Sequence, residues 1–149
     1  MKSDHKKPDL IDHIGLELWR ATRSWKQHLN EVMVENGYMW FGEARGKLIQ
    51  YIRFSGTPQT ELALKTSMTK QAIQQHLDDL VKDGIVERIS DPADARKKLV
   101  KLSVAGMEAF RTANKAKREI EQRYEARIGK EGMMALRRAL ELIIEDDGG

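Results

Sequence analysis

The sequence predicts a mainly α-helical fold that includes one small β-hairpin. Two short amphipathic segments joined by a tight turn lie between residues 57 and 82. Two short β-branched segments follow at 85–89 and 99–102, with consecutive cations between them. Longer helical patterns occupy both ends of the chain. The order of helix, turn, helix, strand, basic tip and strand indicates a winged helix-turn-helix that is flanked by N- and C-terminal helices.

Length and composition limit the possible functions. The 149 residues suffice for a single domain, expected over 9–149, with a flexible polar tail at 1–8. The net charge of +3 is too small to indicate a nucleic-acid partner by itself. Cysteine is absent and the four histidines lack the spacing of a helical zinc pair, so we expect no metal and no cofactor. No signal peptide or membrane-spanning run is apparent, which favours a cytoplasmic protein.

The first two helices are expected over about 9–36 and 42–54. Apolar residues in the first segment recur at steps of three and four, which is the spacing of a helix with one buried face. Asp9 is suited to cap the N-terminus of this helix. Gly37 is suited to end it, because glycine readily adopts the left-handed conformation found after a helix.

The winged helix-turn-helix is expected over 42–102. Thr57, followed by a proline, fits the N-cap of a third, short helix. Thr69 fits the N-cap of a fourth helix, Lys70 to Lys82, and Gly84 fits its end. The expected buried face of the fourth helix consists of Ile73, Leu77, Leu80 and Val81.

The C-terminal third predicts two more helices, separated at Gly129. Ser103 is suited to cap the first of them, which extends to about residue 128, and the second covers about 131–145. The middle of the longer helix, 111–121, is almost entirely polar or alanine. We interpret this stretch as a stalk that crosses solvent, because it offers no wide apolar face.

The terminal helices, 9–36 and 103–145, have apolar stripes with no evident partner in the winged-helix core. We therefore expect them to pack on each other and on a second copy of the chain. The predicted interface residues of this homodimer are Ile11, Ile14, Leu18, Met133, Leu136, Leu140, Ile143 and Ile144.

The polar face of the fourth helix and the wing carry the only recognisable chemistry. The helix presents Gln71, Gln74 and Gln75, and glutamine both donates and accepts, as the major-groove edge of adenine requires. Lys70 at the helix N-terminus can meet phosphate. For each feature an ordinary solvated surface is the alternative. Aspartates at 78, 79 and 83 are expected at the end of the helix that points away from DNA.

A set of residues in this block carries a family resemblance: Glu61-Leu62-Ala63, Lys70, Leu80, Gly84-Ile85-Val86-Glu87-Arg88, Asp91-Pro92, Asp94, Arg96, Leu99-Val100, Leu102 and Ala105-Gly106. With them the chain resembles the MarR family of bacterial winged-helix regulators. The resemblance implies a homodimer with intertwined terminal helices, recognition helices in major grooves and wings in adjacent minor grooves. It also implies that Arg96 is the wing arginine and that Asp94 orients the wing. The chain departs from the family pattern at Ser67, Gln75 and Ala95.

The predicted DNA-binding residues are Thr69, Lys70, Gln71, Gln74, Gln75, Asp94, Arg96, Lys97 and Lys98. Many relatives bind aromatic acids, and Trp19, Arg20 and Trp40 are candidate ligand residues here, with simple packing as the alternative. The sequence thus predicts a sequence-specific double-stranded DNA-binding regulator, a ligand-responsive repressor that acts as a homodimer on an inverted-repeat operator. Its partners are DNA, a second copy and a small aromatic or anionic effector. The alternative is a protein–protein interaction module; an enzyme has no supporting constellation.

Overall fold

The protein is mainly α-helical and carries one small antiparallel sheet, which confirms the predicted fold class. The computed structural model describes residues 9–146, so the predicted tail at 1–8 lies outside the described residues. The elements are α1 (Gly15–Glu35), α2 (Ala44–Ile49), β1 (Thr57–Pro58), α3 (Gln59–Thr66), α4 (Lys70–Lys82), β2 (Val86–Ser90), β3 (Lys98–Leu102) and α5 (Val104–Asp146). None of these helices is long and apolar enough to cross a membrane.

The sheet has three strands, whereas the sequence predicted two, and their order is β1-β3-β2. The predicted hairpin is formed by β2 and β3. The additional strand is β1, in which Thr57 lies opposite Val100. Thr57 is fully buried and does not cap α3, whose N-cap position is taken by Pro58, so that part of the prediction is wrong. The side chain of Thr57 instead forms hydrogen bonds with the backbone that follows α2.

Helix α2 covers only Ala44–Ile49, and the predicted range of 42–54 is too long. In a continuing helix, the N–H of Arg53 would donate to the carbonyl of Ile49. Instead it donates to the hydroxyl oxygen of Thr57 at 2.9 Å, and this hydroxyl donates to the carbonyl of Tyr51 at 3.4 Å. A buried threonine thus satisfies the backbone after α2 and allows the chain to turn into the sheet.

Helix α1 begins at Gly15, so Asp9 is not its cap. The N–H of Gly15 donates to Nδ1 of His13 at 3.2 Å. Ile11 and Ile14, which precede the helix, are 75% and 67% exposed. The described residues leave both side chains largely uncovered, and a short helical extension without packing is not stable.

Helix α4 covers the predicted residues, Lys70–Lys82. The hydroxyl of Thr69 accepts the N–H of Ala72 at 3.1 Å, which confirms the predicted cap. Gly84 follows the helix with φ +73°, as predicted for the residue that ends it. Three of the four predicted inward residues are buried, but Val81 is 38% exposed and does not belong to the core.

Helix α5 packs along α1, and the interpretation of 111–121 as a solvent-crossing stalk is wrong. Ala113 and Ala116 are buried, together with Ile120, against Leu29 and Met33 of α1. Alanine carries so little side chain that a narrow stripe of it lets two helices approach closely. The predicted break is present, because Gly129 has φ +78° and ψ 167°, which are not helical values.

The start of α5 is fixed to the sheet. The hydroxyl oxygen of Ser103 accepts the N–H of Gly106 at 3.0 Å, which confirms Ser103 as the cap, and the hydroxyl donates to the carbonyl of Gly84. A Cβ atom at Gly106 would collide with the carbonyl oxygen of Ile85. Glycine is therefore required for this close approach, which ties the long helix to the β2 side of the winged region.

Candidate nucleic-acid interface

The polar face of α4 is exposed to solvent over its first two turns. Lys70, Gln71, Gln74 and Gln75 are all exposed, whereas Ile73 and Leu77 on the opposite face are buried. Ser67 has φ 56° and makes the left-handed turn that separates α4 from α3. The turn and the Thr69 cap leave the N-terminus of α4 and its glutamine face open to a partner.

Two of these glutamines are held by aspartates one helical turn further on. Nε2 of Gln74 donates to Oδ1 of Asp78 at 3.0 Å, and Nε2 of Gln75 donates to Oδ1 of Asp79 at 3.2 Å. The aspartates were expected only to mark the end of α4 that points away from DNA. Their contacts show that they also restrain the side chains proposed to read bases.

Gln74 takes part in a longer network that joins three elements. Nε2 of Gln59 in α3 donates to Oε1 of Gln74 at 2.7 Å. Asp78 in turn forms an ion pair with Arg88 of β2, with Nη2 and Oδ1 2.7 Å apart. Sequence reasoning missed both Gln59 and Arg88. Their approach depends on how α3, α4 and the sheet pack, and no spacing along the chain signals it.

The tip of the wing is an ordered turn held by two aspartates. Oδ1 of Asp91 accepts the N–H of Ala93 at 2.9 Å, and Oδ1 of Asp94 accepts the N–H of Arg96 at 3.1 Å. The N–H of Lys97 donates to the carbonyl of Asp94 at 2.9 Å. These bonds give the tip a defined shape before any partner binds, which lowers the entropy lost on binding.

Arg96 extends from this tip into solvent. Its side chain is 91% exposed, and its Nε lies 3.2 Å from Oδ1 of Asp94. Asp94 therefore contacts both the backbone and the guanidinium of Arg96, an arrangement that can orient the arginine. An ion pair this exposed contributes little to stability, so the guanidinium can exchange it for a phosphate at small cost.

The wing and the helices border one groove of about 610 Å³. Lys70 and Gln74 line it from α4, and Gln59 lines it from α3. The three wing cations, Arg96, Lys97 and Lys98, line the same groove. Of the other predicted DNA-binding residues, Thr69 is the N-cap of α4 and Gln71 and Gln75 lie on α4, and none of the three lines the groove. Asp94 does not line the groove either, but it accepts hydrogen bonds from Arg96.

Helix α3 is anchored beside this groove by an ion pair. Nη1 of Arg53 donates to both carboxylate oxygens of Glu61, at 3.0 and 2.9 Å. Hydrogen bonding from Arg53 lowers the pKa of Glu61, because it stabilises the ionised form of the carboxylate. The contact fixes the chain that follows α2 against the first turn of α3.

The structure does not gather Trp19, Arg20 and Trp40 into a ligand site. Trp40 is 6% exposed and packs in the core with Tyr38 and Phe41. Trp19 is 57% exposed on α1, where its ring contacts the guanidinium of Arg23 at 5.3 Å. Arg20 is exposed on the same helix. Trp40 is therefore a packing residue, which was the alternative considered for the tryptophans.

A different cavity, of about 360 Å³, lies between the long helices and the winged region. Its apolar lining includes Trp25 of α1, Phe41 and Phe110 of α5. Four lysines surround it: Lys26, Lys47, Lys65 and Lys117. Sequence reasoning missed these residues, because they come from four separate parts of the chain.

The predicted interface residues at the two ends of the chain are largely exposed in a single subunit. Ile11, Ile14 and Ile144 are each at least two-thirds exposed, and Leu136 and Ile143 are 42% and 49% exposed. Leu18 is 37% exposed, and Met133 and Leu140 are half-buried.

Comparison with known proteins confirms the resemblance found in the sequence. Residues 48–97 match the MarR family. None of the curated proteins compared with the chain matches it. Among solved structures, the apo form of MarR from E. coli is 23% identical with a TM-score of 0.69, over 91% of this chain and 98% of that chain.

Two further solved structures contain DNA. A cysteine-to-serine variant of MarR from E. coli complexed with operator DNA is 23% identical with a TM-score of 0.66, over 87% of this chain and 92% of that chain. A variant of MepR from S. aureus bound to an oligodeoxyribonucleotide is 16% identical with a TM-score of 0.64, over 91% and 99%. At these identities the likeness establishes a shared fold.

Proposed function

We propose, on the premise that residues 48–97 belong to the MarR family, that the protein is a transcriptional regulator that binds specific sequences in double-stranded DNA. The observation that carries this proposal is the groove bordered by Lys70 and Gln74 of α4, by Gln59 of α3 and by the three wing cations, next to the exposed glutamine face of α4. The glutamines supply paired donors and acceptors for base edges in a major groove. The cations supply contacts to phosphates or to an adjacent minor groove.

The regulator acts as a homodimer on an inverted repeat. The exposed apolar side chains at both ends of the chain support this, because soluble monomers seldom leave such a surface uncovered. A two-fold axis relates the two copies of α4 and therefore requires inverted half-sites, about one helical turn apart. We propose repression as its mode of action, since a dimer bound across two half-sites blocks access of other proteins to the DNA that it covers.

The wing provides the test that separates DNA binding from binding to another protein. Replacing Arg96 with alanine is expected to weaken binding to cognate and random duplexes alike, because Arg96 meets the backbone or a narrow groove. The dependence of log K on log salt concentration should fall by about one per subunit. Fluorescence anisotropy with labelled duplexes at several salt concentrations measures both effects.

Arg118→Ala is the matched control, because Arg118 is exposed on α5 and its side chain forms no hydrogen bond or ion pair within the described residues. It should leave the salt slope unchanged. An unchanged slope for Arg96→Ala as well, or weak and salt-independent binding of the unmodified protein, would favour the interaction module.

The regulator responds to an anionic aromatic effector. The cavity between the long helices and the winged region supports this, because its volume suits a small molecule and its lining combines aromatic rings with lysines. Nζ of Lys117 lies 5.8 Å from the centre of the Phe110 ring, so a cation and an apolar surface are adjacent. A ligand there touches α1 and α5 as well as α2, and it can bias their relative placement.

Lys117→Ala is expected to weaken the binding of benzoate, used as the probe, by about tenfold, because a charge-assisted hydrogen bond is lost. Isothermal calorimetry measures the affinity, and benzoate should also change the affinity for DNA. Lys115→Ala is the control: Lys115 is exposed on the same helix and does not line the cavity. Equal affinities for the two variants would exclude this cavity as the effector site.

A further inference from the structure

The hydrogen bonds of Gln74 and Gln75 leave each carboxamide with a restricted set of free groups. A glutamine amide has two N–H donors and one oxygen that can accept twice. In Gln75 one N–H is taken by Asp79, at 3.2 Å. In Gln74 one N–H is taken by Asp78, at 3.0 Å, and the oxygen already accepts from Gln59, at 2.7 Å. Each side chain therefore retains one N–H and at least one acceptor site.

The aspartates also fix the positions of the amide nitrogen and the amide oxygen in each glutamine side chain. An ionised carboxylate only accepts hydrogen bonds, so the amide group nearest to Asp79 must be the nitrogen of Gln75. A rotated amide would place two oxygens against each other. Hydrogen bonds of this i, i+4 type also stabilise the helix itself. Asp78 is held in turn by the ion pair with Arg88, with Nη2 and Oδ1 2.7 Å apart.

The groups that remain free complement adenine and do not complement guanine. Adenine presents N7 as an acceptor and the N6 amino group as a donor in the major groove, and the free N–H and oxygen of Gln75 match this pair. Guanine presents two acceptors, N7 and O6. An unrestrained amide can turn both of its N–H groups toward guanine. The amide of Gln75 has only one free N–H, because the other donates to Asp79.

We propose that Asp78 and Asp79 are specificity-determining positioning residues, which fix the polarity of the Gln74 and Gln75 amides and so make α4 select adenine over guanine. This inference rests on the proposed function, since it requires that α4 reads bases. The aspartates themselves touch no DNA. Their negative charge weakens binding to every DNA sequence, but their hydrogen bonds to the glutamines increase the discrimination between adenine and guanine.

The test uses Asp79, because Asp78 also pairs with Arg88 and its loss would disturb two contacts. A duplex selected by the unmodified protein is compared with copies in which each A·T pair is changed to G·C in turn. Asp79→Asn is expected to raise affinity for all of these duplexes and to lower the adenine preference at one position per half-site by about tenfold. Asp79→Glu, which keeps an accepting carboxylate, should retain the preference. Thermal midpoints should change little, because a single exposed i, i+4 pair stabilises a helix only weakly.

Two controls complete the experiment. Glu87→Gln removes one negative charge from an exposed position on β2, and Glu87 forms no hydrogen bond to a glutamine side chain within the described residues. It should change affinity without changing preference. In a Gln75→Ala background, Asp79→Asn should have no further effect on preference, because the amide on which it acts is gone.

The possible failures are distinguishable. If Gln75→Ala removes the adenine preference at one position while Asp79→Asn leaves it intact, the positioning role is overturned and base reading by α4 stands. If Gln75→Ala also leaves every position unchanged, base reading by this residue fails and the positioning role fails with it. A loss of preference in Asp79→Asn that persists in the Gln75→Ala background would likewise overturn the inference.

Discussion

Replacing Gln74 and Gln75 together with alanine is expected to abolish the preference of the protein for its cognate duplex while leaving its affinity for random DNA nearly unchanged. Each glutamine contributes about 1–3 kcal/mol of discrimination, and a dimer presents each of them twice. Both side chains are exposed, so their removal creates no cavity in the core. The loss of cognate binding should therefore be the largest effect of any surface substitution in this protein.

Competition titrations with cognate and random duplexes measure this loss, and circular dichroism checks that α4 remains folded. Gln122→Ala provides the control, since Gln122 is an exposed glutamine on α5, away from the groove. Cognate binding that survives the double substitution would mean that α4 does not read the sequence. Equal losses on cognate and random DNA would mean that the two glutamines act without regard to sequence.

A second large effect is expected at the C-terminal end of α5. Ile143→Glu places a charge in the apolar stripe that we propose as the dimer interface. Ile143 is 49% exposed in a single chain, so the charge is tolerated in a monomer but is costly in a dry interface. The variant should be monomeric at micromolar concentration, and its affinity for the inverted repeat should fall by at least a hundredfold, because the two half-sites are no longer bound together.

Sedimentation equilibrium measures the association state of this variant, and the same anisotropy titration measures its DNA affinity. Arg138→Glu is the control on the same helix: Arg138 is exposed and its side chain contacts Glu141, away from the apolar stripe. It changes the charge by more than Ile143→Glu does and should leave the dimer intact. A dimer that persists in Ile143→Glu would place the interface elsewhere.

The local features of the fold were predictable because their signals lie within a few residues of sequence. The boundaries of α4 follow from the cap at Thr69 and the positive φ of Gly84. The cap at Ser103 and the break at Gly129 have equally local causes. Caps and left-handed glycines act through the backbone of adjacent residues, and for that reason a single sequence is enough to place them.

The features that were not predicted depend on contacts between distant parts of the chain. Thr57 has the sequence context of a helix cap, but it pairs with Val100 in the sheet and accepts the N–H of Arg53. The stretch 111–121 has the composition of a solvated helix, but its alanines lie against α1. In both cases the partner is far away in sequence, and tertiary packing overrides the local pattern.

The candidate site shows the same division. The exposed glutamines of α4 and the basic wing tip were predictable one by one from residue type and order. That Gln74 and the wing cations line one groove together with Gln59 could be seen only in the fold. The i, i+4 spacing of Gln75 and Asp79 was visible in the sequence and is a known stabilising pair on helices. The prediction nevertheless treated the aspartates only as charges that phosphate would repel, and therefore as a mark of the end of α4 that points away from DNA.

Selection of bound duplexes from a random pool, at an ionic strength near 0.15 M, tests the central claim most directly. The proposed function predicts enrichment of an inverted repeat whose half-sites lie about one helical turn apart, with adenine at the positions read by Gln74 and Gln75. The selected duplex should bind at least a thousandfold more tightly than random DNA, because specific DNA-binding proteins typically show affinity ratios of about a thousand or more. A pool that shows no enrichment, or a guanine-rich consensus without inverted symmetry, would contradict the claim.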